Sequence, residues 1–249
     1  MRIEVTFFSE RPIILPWDYL DWLQGIFYRA MERGIPQLAH RVHDEGFTGG
    51  GKRYKLSTFS LLYPERYQVV SGGLRVEGIL RWWISSPLGR VIEAVALGLL
   101  SEPEIWLGQY RVQVGEVRVV PIPQFTSPMT LITLSPIFVS TGERDAAGRF
   151  QKRFLSPGEP DFVRVLNENA RRKAEAVWGR VPEGELRFEW LGRPESKLIT
   201  VNHFRVRGWM MSFRVSGPRE LIEIGYEAGF GERNAQGFGM VRMEGVDGE

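Results

Sequence analysis

The chain has 249 residues, 43% hydrophobic and 25% charged, with a formal net charge of +2 and no cysteine. That length suits one large domain or two of ordinary size, in the balance of a globular protein. The composition excludes a disulfide framework and a thiolate metal site. No stretch approaches the run of about 18 apolar residues that spans a membrane, so a cytoplasmic protein is expected. Five of the 32 basic residues are lysine, leaving 27 arginines. The planar guanidinium suits phosphates and stacks on bases, which makes nucleic acid a natural partner. A GC-rich genome or a heat-adapted surface accounts for the same bias.

In chain order, "RIEVTFF" alternates as a strand. "WDYLDWLQGIFYRAMERG" carries Trp17, Leu20, Leu23, Phe27 and Met31 at helical spacing and ends at Gly34. Pro36 opens a short helix, "PQLAHRVHDEG", stopped by Gly46. "FTGGGKR" reads as a loop, "YKLSTFSLL", "RYQVVSG" and "LRVEGILRWWISS" as strands, "PLGRVIEAVALGLLSE" as an amphipathic helix and "EIWLGQYRVQVGEVRVVPI" as strand-rich. Trp82 and Trp83 point to opposite faces of their strand, so at least one belongs to the core.

The proline-flanked "PIPQFTSP" reads as a linker. After it the order repeats. "MTLITLSPIFVST" is a strand pair or bent strand, and "PDFVRVLNENARRKAEAVWGR" is a helix whose Arg171, Arg172 and Lys173 read as a solvated face. "ELRFEWLG" and "KLITVNHFRVRGWMMSFRVSG" are strands, the second a hairpin. "PRELIEIGYEAG" is a helix and "MVRMEGV" a closing strand. Each half therefore approximates β-α-β-β-α-β. The predicted architecture is α+β: two tandem ferredoxin-like domains, over 1–122 and 129–249.

"GFGERNAQGFG" (229–239) lies between the last helix and the last strand. It is not a dinucleotide-binding motif, which follows a strand and opens a helix, nor a phosphate loop with Gly-Lys-Ser/Thr. One glycine would serve a helix C-cap; four exceed that need. The reading left is a loop that a phosphate chain approaches closely, with Arg233 and Asn234 as polar contacts beside Gly229, Gly231, Gly237 and Gly239. On the hairpin, Arg205 and Arg207 share a strand face that either tracks an RNA backbone or is simply solvated. The histidines are His40, His43 and His203. His43 alone reads as a polar helix-end residue. "HRVHDE" is not a zinc-protease motif, and no metal site or cofactor is expected.

The glycine loop, in "GYEAGFGERNAQGFGMVRMEG", resembles the signature of the CRISPR-associated repeat-cleaving endoribonucleases, the Cas "six" family of the repeat-associated mysterious protein superfamily. Weaker similarity runs through "IFYRAMERGIPQLAHRVHDEGF", "YKLSTFSLL", "GLLSEPEIWLGQYRVQVGEVRVV" and "TLSPIFVST". The resemblance implies two ferredoxin-like domains and metal-independent cutting of CRISPR repeat transcripts into guide RNAs by 2′-OH attack, with 2′,3′-cyclic phosphate and 5′-hydroxyl ends. It implies Tyr28, His43 and Lys55 as the catalytic set. His40 is the alternative histidine and Lys52 the alternative lysine, the latter in a glycine loop that could swing in. The partner it implies is CRISPR repeat RNA, with a CRISPR effector complex or a second copy of the chain as protein partners. A non-catalytic RNA-binding relative, or an effector-complex subunit of the same fold, is the rival reading.

Overall fold

A computed structural model describes residues 1–144 and 148–245. The stretch 246–249, at the end of the expected second domain, lies outside the described residues. The first module begins with β1 (Arg2–Pro16), whose Ile3, Val5 and Phe7 are fully buried on alternate positions. There follow α1 (Leu20–Gly34), the short α2 (Pro36–His40) and a single π-helical turn over Arg41–Glu45. Next come β2 (Phe47–Gly49), β3 (Lys52–Tyr54), β4 (Thr58–Phe59), β5 (Tyr63–Val70) and β6 (Gly73–Ser85). The module closes with α3 (Gly89–Leu100), β7 (Glu104–Leu107) and β8 (Tyr110–Val120). Strands β5, β6, β1 and β8 lie side by side in that order, all antiparallel. This is the ferredoxin-like order, with β7 added outside β8.

The second module repeats it. β9 (Met129–Thr133) is followed by β10 (Ser140–Arg144), β11 (Phe150–Phe154) and α4 (Pro160–Trp178). Then come β12 (Arg187–Val201), β13 (Phe204–Ser216), α5 (Arg219–Ala228) and β14 (Val241–Met243). The sheet order is β12-β13-β9-β14. Trp82 is the inward tryptophan, at 0% exposure, and packs on Phe7 and Phe59. Among the described residues no helix is long and apolar enough to cross a membrane.

Several segments differ from the sequence reading. "YKLSTFSLL", expected as one strand, is strand only at Tyr54, the end of β3, and at Thr58–Phe59. The "FTGGGKR" loop is instead the ordered hairpin β2–β3, turning at Gly50 and Gly51, both at positive φ. Residues after β9 form a separate hairpin, β10–β11, rather than a continuation of the sheet. "ELRFEWLG" and the next strand are one long β12 carrying a bulge between Leu191 and Glu195.

These features lock the modules together. The β2–β3 hairpin reaches across to α4: Gly50 N–H donates to Glu175 Oε2 at 2.7 Å, and a Cβ at Gly49 would stand 1.9 Å from Arg172 O. The tip of β12–β13 returns the contact. Asn202 N–H donates to the Asp21 carboxylate at 3.0–3.2 Å, while Val201 and Val206 join the first module's core. Arg2, at 0% exposure, crosses from β1 to donate to Val241 O at 2.8 Å and Tyr226 O at 2.9 Å, its guanidinium 3.9 Å from the Tyr226 ring. With hydrogen bonds and an aromatic face to meet it, the cation can be taken out of water.

Candidate active site in the interdomain cleft

The junction leaves a cleft of about 460 Å³. Tyr28, His43, Lys52 and Lys55 line it from the first module; Lys152, Glu232, Arg233 and Gln236 line it from the second. Both candidate lysines and the candidate histidine thus face the glycine loop. Arg53 adds a further cation, and Glu232 is the carboxylate of the lining, so the walls suit an anion. His40 lies outside it, in a smaller depression that it shares with Arg29, Glu32 and Asp44 and that Tyr28 and His43 also line. Arg205 and Arg207 are exposed on the β13 arm, and His203 sits in the arm's turn at φ +66.

The π turn sets His43. The residue that caps it, Gly46, has φ +66, and Gly46 N–H donates to Arg41 O at 2.9 Å, a bond that closes the wider turn. The His43 ring stands edge-on to Tyr28, centroids 5.0 Å apart, and its Nδ1 is 2.7 Å from Asp44 Oδ1. His40 Nδ1 takes the other oxygen, 3.0 Å from Asp44 Oδ2. Bonds from the two histidines hold Asp44 below the usual carboxylate range. Lys55 donates through Nζ to the carbonyl of His43. Partial burial pulls the Lys55 ammonium down, while Asp44 pushes it back up. Burial lifts the Tyr28 phenol to about 12, which keeps its proton on and leaves it a hydrogen-bond donor at neutral pH. Lys52 is exposed on β3 and held in the hairpin.

The loop's glycines have a packing reason that the sequence reading missed. Gly229, Gly231, Gly237 and Gly239 all have positive φ, and a Cβ on each would stand within 2.6 Å of another atom. At Gly237 that atom belongs to the ring of Phe59, from the first module. Asn234 is likewise buried. Its Nδ2 donates to Phe230 O at 3.1 Å and Phe238 O at 2.9 Å. The loop chain therefore bends around its own interior and around the first module. Arg233 is half-buried and lines the cleft: φ +58, NH1 donating to Gln236 Oε1 at 2.8 Å, guanidinium 5.6 Å from the Phe138 ring. Lys152 approaches the same ring at 5.4 Å and Glu232 at 3.6 Å.

Lys173 corrects another expectation. It is 2% exposed, not solvated. Its Nζ donates to Gly229 O at 2.6 Å, Gly231 O at 2.9 Å and Asn234 Oδ1 at 2.6 Å, filling all three donor positions of an ammonium. Burial pulls it down to about 7. Position 173 follows Leu166 and Ala170 on the apolar stripe of α4, the signal that would have exposed it. Among the described residues no cluster of three or more His, Cys, Asp or Glu could hold a metal ion.

Two family profiles match in tandem: "CRISPR-associated protein Cas6, N-terminal" over residues 14–118 and "CRISPR associated protein Cas6, C-terminal" over 120–243. The chain is 30% identical over 240 residues to the CRISPR-associated endoribonuclease Cas6 of Pyrococcus furiosus, covering 95% of this chain and 86% of that protein. A solved structure described as CRISPR associated protein Cas6 superposes with TM-score 0.81 at 31% identity, over 98% of both chains. Another, described as a RAMP protein binding different RNA substrates, superposes with TM-score 0.84 at 26% identity, over 98% of this chain and 99% of that one. With its two ferredoxin-like modules and glycine loop, the chain belongs to the Cas6 family of CRISPR-associated endoribonucleases.

Proposed function

We propose that this chain cuts CRISPR repeat RNA in the interdomain cleft, by attack of the 2′-OH beside the scissile phosphate. The products are a 2′,3′-cyclic phosphate and a 5′-hydroxyl. The observation that carries this reading is the meeting of Tyr28, His43 and Lys55 with the Arg233 face of the glycine loop in one cationic cleft. Such a cut needs a proton carrier, a cation for the charge that builds on phosphorus, and a donor near the reacting oxygens. His43 takes the 2′-OH proton, Lys55 meets the charge on phosphorus, and Tyr28 gives the departing 5′-oxygen the proton that makes it a hydroxyl.

Arg233, with Lys152 beside it, holds a neighbouring phosphate, and Arg205 and Arg207 track RNA outside the cleft. Gly229, Gly231, Gly237, Gly239 and Asn234 serve binding by shaping the loop that presents Arg233. Arg233 stands at a left-handed φ that non-glycine residues rarely adopt, and such strain is tolerated where the side chain has a task. Cleavage of a cellular transcript also places the protein in the cytoplasm.

The test is a repeat RNA carrying a single 2′-deoxy sugar before the scissile phosphate, incubated with the protein in excess EDTA. The all-ribose RNA is cut in EDTA, and the deoxy RNA binds but stays whole. Cleavage of the deoxy RNA would overturn the reading.

A further inference from the structure

Asp44 occupies a position that the catalytic set leaves unexplained. Its carboxylate is shared by two imidazoles, Oδ1 with His43 Nδ1 at 2.7 Å and Oδ2 with His40 Nδ1 at 3.0 Å. A carboxylate is an acceptor only, so each Nδ1 must be the donor. At 2.7 Å the His43 contact has the length of a charge-assisted bond. A neutral imidazole that gives its proton to Nδ1–H has its lone pair on Nε2. This is the opposite of the tautomer that an imidazole free in water prefers.

We propose that Asp44 is a positioning residue for His43. It fixes the Nδ1–H tautomer and the ring's angle, so that Nε2 is the base that takes the 2′-OH proton. The inference rests on the reading of the cleft given above. The logic is that of a base oriented by a third group. Three other contacts complete the mount: the Tyr28 ring edge from α1, the Lys55 bond to the His43 carbonyl, and the π turn closed by Gly46. Each fixes where His43 sits; among the described residues Asp44 is the one that reaches a ring nitrogen of His43. The pair is a poor candidate for a stabilising device. The His43 and Asp44 side chains are 63% and 57% exposed, and exposed ion pairs contribute little to folding. His40 is more exposed still, at 79%, and stands outside the cleft. It therefore shares the carboxylate without sharing the chemistry.

The experiment compares wild type, Asp44→Asn, Asp44→Glu, His40→Ala and His43→Ala under single turnover. Affinity is measured separately on the 2′-deoxy repeat, and the tautomer of His43 is read from its imidazole ¹⁵N shifts. In Asp44→Asn the amide can donate to Nδ1 and favour the wrong tautomer. Its cleavage rate should fall about 10- to 100-fold, taking the scale found when a carboxylate that orients a metal-bound imidazole is lost. Its affinity should stay within about 2-fold, and the Nε2–H tautomer should become visible. Asp44→Glu keeps a carboxylate and should recover part of the rate, and His40→Ala should cut at close to the wild-type rate. Wild-type rate and tautomer in Asp44→Asn, with His43→Ala inactive, would overturn this inference and leave the cleft reading standing. A rate loss matched by an equal affinity loss would also overturn it, because Asp44 would then be acting in binding. Full activity in His43→Ala would instead sink the reading beneath it.

Discussion

Gly239 offers a measurable distinction between a loop built for its own packing and one left open. A Cβ at Gly239 would stand 2.0 Å from Phe230 O and 2.7 Å from Asn234 Nδ2. Phe230 is tied back to the same residue, its N–H donating to Gly239 O at 2.9 Å, so it cannot move away without breaking the loop's closure. Gly51 is the natural control. Its φ is +71 against +77 at Gly239, yet nothing lies within 4 Å of its Cβ position. Gly51→Ala should therefore cost about 1 kcal/mol, the left-handed penalty less what alanine gains by restricting the unfolded chain. Gly239→Ala adds an overpacking cost of about 1–3 kcal/mol. In a chain of this length that difference corresponds to a gap of roughly 2–12 °C between the two midpoints. Thermal unfolding of the two variants against wild type is the assay. Equal midpoints would show that the loop has room at Gly239 and would refute the packing account.

Arg233→Gly should separate binding from stability. Glycine is at ease at φ +58, so the midpoint should stay within a few degrees, while affinity for repeat RNA falls and the log–log salt slope flattens by about one unit, as one lost phosphate contact requires. Unchanged affinity and slope would remove Arg233 from the RNA path. Lys173 gives a pH signature. Folded it titrates near 7, against the ordinary 10.5 unfolded, so between these values the unfolded chain holds more protons and stability rises with pH. Urea unfolding at pH 7.5 and 9.5 should show this rise in wild type and less of it in Lys173→Met, the slope due to one group being at most about 1.4 kcal/mol per pH unit. Equal rises in both proteins would contradict a buried, depressed Lys173.

The two ferredoxin-like modules were legible because each long element carries its own periodicity, as in Ile3, Val5 and Phe7 on β1. What escaped was short or was decided by distant partners. The β2–β3 hairpin is three residues a side, and its glycines concealed it, although a Gly-Gly pair is also a hairpin turn signal. Gly49 is needed because α4, more than a hundred residues away, passes within contact. Lys173 reads with its charged neighbours in the sequence, but the helical stripe places it inward. Tyr28, His43 and Lys55 were named through family resemblance, and the cleft supplies a geometry for them. The partnership of Asp44 with both histidines lies in the side-chain rotamers, which spacing alone does not fix.

His43 is assigned to proton transfer in the interdomain cleft rather than to holding RNA. Single-turnover cleavage of the repeat by His43→Ala, with affinity measured on the same RNA, tests it most directly. The rate should be lower by about 100-fold or more with affinity nearly unchanged. A wild-type rate, or a rate loss explained by weaker binding, would contradict it.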